Sequence, residues 1–520
     1  MSRYYITTPI YYVNDDPHIG HAYTTLACDV LARFMRLDGR EVCFLTGTDE
    51  HGQKVEKAAE NNGVDPQAFT DEISKNFRRL ADVMNFSYDD FIRTTESRHL
   101  SSCQAIWQAI ASKKSPLGKD NIYLGKYAGW YAVRDEAFYT ESELKDDLAG
   151  KKIAPSGAEV EWVEEPSYFF RLSDWQEALL KFYTEHPDFI APASRRNEVI
   201  NFVEGGLNDL SISRTTFRWG VPVPGDEEHI MYVWLDALTN YITAVGYPNT
   251  YGDLWKYWPA NLHMVGKDIL RFHAVYWPAF LMAAGIEPPK RIFAHGWWTN
   301  EGQKISKSVG NVIDPFELVE KYGLDPVRYF LLRQVPFGND GDFSHHAIIH
   351  RLNGDLANDL GNLCQRVMSM IFRNCDKKIP EAHTLNETDQ KFITSISDSL
   401  SDLRAMMEAQ NFNLALELIW QHVAKANRYI DEQAPWALRK SDPARMETVL
   451  YTLAEAIRNI AILTSPFMPD SMDRVLELLG LNKEERGFDL LGHAHALASG
   501  TQVRGKPKPI FPRFVEDNDG

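Results

Sequence analysis

Two short groups of residues, far apart in the chain, are of types that handle phosphate: His18-Ile19-Gly20-His21 and Lys304-Ile305-Ser306-Lys307-Ser308. Histidines three apart share one face of a helix and can donate hydrogen bonds to phosphate oxygens, while Gly20 leaves room for a flat base to press on the backbone. The alternative is that the two histidines merely cap a helix. Lys304 and Lys307 follow the turn-prone Asn300-Glu301-Gly302. Two lysines on a loop can clasp the charge that builds up between α- and β-phosphate as pyrophosphate departs. Isolated, they would read as a solvated loop; together with the histidine group they read as a nucleotide site.

The elements that must hold these groups follow from hydrophobic patterning. Tyr4 to Thr8 reads as a buried strand, His18 to about Arg36 as a helix, Glu41 to Thr46 as a second strand and His51 onward as a second helix. That alternation opens a Rossmann-type, doubly wound parallel sheet of the α/β class, with His18–His21 at a helix amino terminus, where free N–H groups and partial positive charge attract anions. From about Gly118 to Pro222 short aromatic strands broken by Gly, Pro and charges suggest a small mixed insert that splits the sheet. Beyond His345, apolar residues recur at three and four spacing, which argues an all-α helical bundle. The expected division is residues 1–115 and 228–297 for the two halves of the sheet domain and 116–227 for the insert. Residues 298–350 form the connecting region with the lysine loop, and 351–520 the bundle, ending in an exposed tail, KPKPIFPRFVEDNDG.

Composition bounds the function classes. The 520 residues are 44% hydrophobic and 24% charged, enough for several cores. No apolar run approaches the ~18 residues of a spanning helix, and MSRYYITTPIYY has no leader character, so a cytoplasmic protein without membrane contact is expected. Five scattered cysteines, Cys28, Cys43, Cys103, Cys364 and Cys375, draw neither a disulfide framework nor a metal knuckle. The net charge of −17 argues weakly against nucleic acid unless basic groups concentrate on one face.

The histidine and lysine groups together match the two signatures of class I aminoacyl-tRNA synthetases, with Ile305 in place of the usual methionine. The segments TTPIYYVNDDPHIGHAY, FLTGTDEHGQK, VWLDAL, GKDILRFH, YWPA and DEQAPW resemble the methionyl-tRNA synthetase family more closely still. That resemblance implies catalysis by His18, His21, Lys304 and Lys307, using ATP with Mg2+. It implies ATP contacts from Gly20, Asp268 at the ribose, the Trp298 backbone at the adenine edge, and Lys307. The methionine pocket it implies comprises Ile10, Tyr12, Asp49, Trp234, Leu238, Tyr241, Ile269, His273 and Trp277. Spacing supports the pocket independently: Ile269, His273 and Trp277 are each four apart, and Trp234 and Tyr241 seven apart, so each set lines one helix face. Aromatic faces suit a polarizable thioether, the Tyr241 hydroxyl could hydrogen-bond its sulfur, and Asp49 suits the α-ammonium group. Aromatics at helical spacing are, taken singly, more often plain core.

Related class I enzymes for Ile, Val and Leu carry a large hydrolytic editing domain, for which segment 116–227 is too short, and the cysteinyl enzyme needs a cysteine that TTPIYYV lacks. A nucleotidyltransferase acting without tRNA would lack the helical appendage, and a non-catalytic relative would have lost the signatures. Zinc knuckles occur in many methionyl inserts, but Tyr131-Ala132-Val133-Arg134 has no cysteine, so no structural zinc and no other protein-bound metal is expected. Asn362, Arg366 and Trp436 match the positions that read the CAU anticodon of tRNA(Met), a task for donors and a stacking platform. Arg328 reads as a structural ion pair. With no appended dimerising domain after residue 520, a monomer is expected.

Overall fold

The computed structural model describes residues 2–13, 16–134, 137–139, 141–147, 150–304, 312–492 and 495–515. Its first strand, Arg3–Thr7, runs through the middle of a seven-stranded sheet. On one side it pairs in parallel with Glu41–Asp49, which then pairs with Asp90–Arg93; on the other it pairs with Leu262–Gly266, followed by Ile292–His295. The chain therefore winds outward from the first strand in one direction early and in the other direction late, which puts the reversal of strand order at that strand. Gly47 permits the closest approach in this sheet: a Cβ there would lie 2.0 Å from the Ile92 carbonyl oxygen.

The insert is smaller than expected. Its antiparallel sheet, built on Ile122–Ala132 and Glu161–Phe170, stands apart, but Ile190–Ala191 returns to the main sheet and pairs in parallel with Ile292–Phe293. Tyr183, Phe189, Val199 and Val203 share the core of Trp277 and Phe280. The boundary at 227 thus assigned to the insert a strand and flanking helices that the main sheet uses as its edge and cover. A two-residue strand carries too little pattern to announce itself.

The carboxyl-terminal half is helical, arranged around Pro443–Thr464, a helix buried along nearly all its length. One apolar core runs from the helix Ile19–Leu37 through Leu324–Arg333 into the bundle. Arg328 ties these parts together from a fully buried position, donating to Asp29 Oδ2 at 2.7 Å and to the carbonyls of Met84 and Phe467. Within the expected exposed tail, residues 506–515 form a strap against the bundle, and residues 516–520 lie outside the described residues. Phe511 is buried in the core, and Phe514 exchanges backbone hydrogen bonds with the Asn353 side chain and sets its ring 5.0 Å from that of Tyr322. Its Phe and Ile residues explain the docking: exposed, they would leave apolar area in water. No helix among the described residues is long and apolar enough to cross a membrane.

Candidate active site

A cavity of about 440 Å3 opens where four parallel strands end. Pro9 and Ile10 lie just past the first strand, Asp49 ends the second, and Gly266 and His295 end the two on the other side. This is the carboxyl edge of the sheet at its switch point, where such folds take their ligands. A larger cavity of about 820 Å3 lies between Asp325, Arg474 and the strap. The smaller one is where imidazoles, carboxylates and aromatic rings converge, and the chemistry belongs there.

One side of the smaller cavity is the first turn of the helix Ile19–Leu37. His18 is the N-cap, and its Nδ1 accepts the Gly20 N–H at 3.0 Å. The His21 Nδ1 accepts the His18 N–H at 3.1 Å, completing a capping box made of two imidazoles. The bland reading of these residues, helix capping, is therefore correct and does not exclude the other. With each Nδ1 accepting, a neutral ring carries its proton on Nε2, so both rings are set as Nε2–H donors. Gly20 is required by this cap, because a Cβ would stand 2.9 Å from His18 Cε1. Lys304 ends a short hairpin opposite Thr299. Lys307 lies outside the described residues.

The opposite wall is aromatic. Ile10, Tyr12, Asp49, Trp234, Leu238, Tyr241, Ile269 and His273 all line the cavity. Trp234 stacks on Phe272 at 3.5 Å between centroids. His273 Nδ1 lies 3.0 Å from the Ile269 carbonyl, which can only accept, so Nδ1 carries the proton and Nε2 accepts the Tyr241 O–H at 2.7 Å. The Tyr241 proton is engaged by that nitrogen and is not offered to a thioether, contrary to expectation. Desolvation lowers the His273 pKa to about 4, which keeps the ring neutral and this arrangement intact.

One expected pocket residue is placed elsewhere. Trp277 is fully buried behind the wall, where its indole N–H donates to His263 Nε2 at 3.3 Å, and His263 in turn contacts the Thr7 hydroxyl. A π-helical turn, Phe272–Tyr276, contains His273 and lies between Ile269 and the α-helix that starts at Trp277, so the four-residue spacing does not keep one face. The Trp298 ring packs into the core against Tyr23 and Phe330. Its neighbour Trp297, 40% exposed, lines the cavity instead, and its indole N–H reaches Asp268 Oδ1 at 3.2 Å. Lys267 sits over the Trp297 ring and pairs with Asp340, which also accepts the Trp297 backbone N–H.

Several lining residues went unmarked in the sequence. His295, neutral because burial lowers its pKa, places Nε2 2.7 Å from the Thr24 hydroxyl, and Lys54 lies over the Tyr12 ring. Asn240 brings a buried Oδ1 that has no partner among the described residues. The signal that finds His295 is position, since it ends a parallel strand as Asp49 does. Among the described residues, His99, Cys103 and Asp236 are near enough to share an ion; they lie in the main domain, outside the insert. In the bundle, Arg366 bonds Asp431 at 2.6 Å and places its guanidinium 5.5 Å from the half-exposed Trp436 ring; Asn362, exposed, begins the same helix.

Against known proteins, residues 4–368 match the family model described as tRNA synthetases class I (M), and residues 379–519 match the anticodon binding domain of methionyl tRNA ligase. A methionine–tRNA ligase of Brucella suis biovar 1 (strain 1330) is 56% identical over 522 residues, spanning 100% of both chains. The chain belongs to the class I methionyl-tRNA synthetases. A methionine–tRNA ligase of Rickettsia felis is also 56% identical, over 99% of each chain. Among solved structures, a Mycobacterium tuberculosis methionyl-tRNA synthetase in complex with methionyl-adenylate is 50% identical and superposes with a TM-score of 0.94, covering 99% of this chain and 100% of the other. The apo form of that enzyme is 47% identical, with a TM-score of 0.88 over 99% of each chain. As a methionyl-tRNA synthetase the chain is an ATP-dependent ligase, and the parallel sheet with its helical appendage is the fold of that class.

Proposed function

We propose that the cavity of about 440 Å3 is where this synthetase forms methionyl-adenylate, with the two sides of the cavity dividing the substrates. The observation that carries the reading is the convergence, on one switch-point crevice, of a helix amino terminus bearing two imidazole donors with an acid and an aromatic wall. Methionine lies against Ile10, Tyr12, Trp234, Leu238, Tyr241, Ile269 and His273, its ammonium facing Asp49. Trp277 acts from behind, through His263 and Tyr241. ATP lies over Gly20, its ribose near Asp268 and its adenine edge along the Trp297–Trp298 backbone. Mg2+ travels with ATP, held chiefly by the phosphates.

The methionine carboxylate attacks the α-phosphate in line, the bond to the β-phosphate bridging oxygen breaks, and pyrophosphate leaves. Catalysis is positioning plus charge stabilisation by His18, His21, Lys304 and Lys307. The 2′-hydroxyl of the terminal adenosine of tRNA then attacks the adenylate carbonyl and AMP departs. Asn362, Arg366 and Trp436 read the CAU anticodon, Trp436 as the stacking platform. The reading includes a monomer working in the cytoplasm without a structural zinc; a stable dimer in sedimentation, or stoichiometric zinc after purification without added metal, would count against those parts.

Methionine-dependent exchange of labelled pyrophosphate into ATP tests the site. Lys307→Ala is expected to cut exchange by orders of magnitude while methionine binding survives. Unchanged exchange would remove the lysine from the mechanism.

A further inference from the structure

Asp236 does not line the cavity, yet it links the turn that bears Asp49 to the helix that carries the aromatic wall. Its helix, Val233–Thr243, carries Trp234, Leu238 and Tyr241. Asp236 Oδ2 is 2.7 Å from Nδ1 of His51, two residues past Asp49, and Oδ1 is 2.8 Å from Nε2 of His99 on the helix Ser97–Ala111. All three side chains are buried. Burial pushes the Asp236 carboxyl up, and the two imidazoles more than offset this, so it sits well below the ordinary carboxylate range and stays ionised.

The turn that bears Asp49 has a second, separate anchor. Glu50 is fully buried and accepts from Thr48, Thr95 and Arg93, which pins the turn to the neighbouring strand. The His51 link therefore does not hold the turn onto the sheet; it connects the turn to the aromatic helix. Cys103 Sγ is 3.2 Å from His99 Nε2 and 3.7 Å from Asp236 Oδ1, so a metal must be weighed. The 2.8 Å between Oδ1 and Nε2 is a direct hydrogen bond. Two ligands about 2.0 Å from one tetrahedral ion would stand roughly 3.3 Å apart.

We infer that Asp236 is a positioning residue for methionine: through His51 and His99 it fixes the register between the acidic wall at Asp49 and the aromatic wall at Trp234, Leu238 and Tyr241. The inference rests on the cavity being the methionine site. It concerns methionine and leaves ATP alone, because the hydrogen bonds of Asp236 run to His51 and His99, beside Asp49 and the aromatic helix.

Pyrophosphate exchange on the full chain, with methionine and ATP varied separately, is the test. Asp236→Asn replaces one acceptor oxygen by a donor facing an imidazole N–H, and is expected to raise KM for methionine roughly ten- to a hundredfold, as a misplaced wall would. KM for ATP is expected to stay within about twofold. Should that variant fail to fold, His51→Ala and His51→Gln carry the test: the alanine raises the methionine KM, and the glutamine, which keeps an N–H donor, recovers part of it. A folded Asp236→Asn protein with unchanged methionine KM overturns the inference. So does activity that merely tracks the folded fraction, or His51 variants indistinguishable from the parent. Asp49→Asn separates the two failures: if it too leaves methionine KM unchanged, the assignment of the cavity falls, whereas a raised KM there and none at Asp236 removes only the clamp.

Discussion

The two sides of the cavity are built on opposite physical plans. On the aromatic side the polar hydrogens are already assigned: Tyr241 to His273, His273 to the Ile269 carbonyl, Trp277 to His263. All four side chains are buried, and desolvation holds both histidines neutral, His263 well below its ordinary pKa. At the mouth, Trp297, Asp268 and Asp340 are exposed, and Asp340 pairs with the half-buried Lys267. A buried wall whose imidazole, phenol and indole protons are so placed disfavours a substrate that would need a different pattern, since a buried donor or acceptor left unmatched is costly. A wet rim of charges can rearrange around a polyanion at little cost, and salt screens it. On the proposed division of substrates, selectivity would reside in the aromatic side and adaptability in the rim.

Three experiments would break or sharpen that contrast. The largest expected effect is on stability against pH. His273 has a folded pKa near 4 against an ordinary value near 6.5, so as pH falls the unfolded chain takes up the proton first. Stability from this group is fully present above about pH 6.5 and is lost as pH falls towards 4, by roughly 3 kcal/mol. Urea unfolding at several pH values should show the parent losing more stability over that window than His273→Gln; parallel losses would mean the ring is not held neutral. Next comes Tyr241→Phe, which leaves the His273 Nε2 acceptor unmatched at about 1–3 kcal/mol and should raise methionine KM about tenfold with ATP KM unmoved. Equal rises in both would erase the distinction between the sides. Smallest is Trp297→Ala, expected to raise ATP KM by roughly 1 kcal/mol or less, about a fewfold, with the shift shrinking further at high salt. A tenfold or greater loss would show the rim to be as rigidly specified as the wall.

What the sequence disclosed and what it withheld divide along the same physical line. His18 and His21 were readable because a helix start, a strand before it and a phosphate-suited pair coincide within a few residues. The helical bundle is readable from its apolar spacing, whereas Asp49 is marked only by the family resemblance. Ring direction was not: Trp297 and Trp298 are adjacent, and only the packing of Tyr23 and Phe330 decides which one turns inward. The π turn at Phe272–Tyr276 shifts the helix phase by an amount no periodicity announces, which moved Trp277 behind the wall. His51 and Asp236 are 185 positions apart, and their pairing is a property of the tertiary fold alone.

The strap formed by Phe511 and Phe514 bears on how the molecule comes apart and together. It lies across Tyr322, at the end of the helix Pro315–Tyr322 just beyond the lysine loop, and across Asn353, at the entry to the bundle. Because it bonds to both parts at once, it can dock only after both have folded, so closing the join between catalytic domain and bundle is a late step of folding. Lifting the same segment would uncover that join.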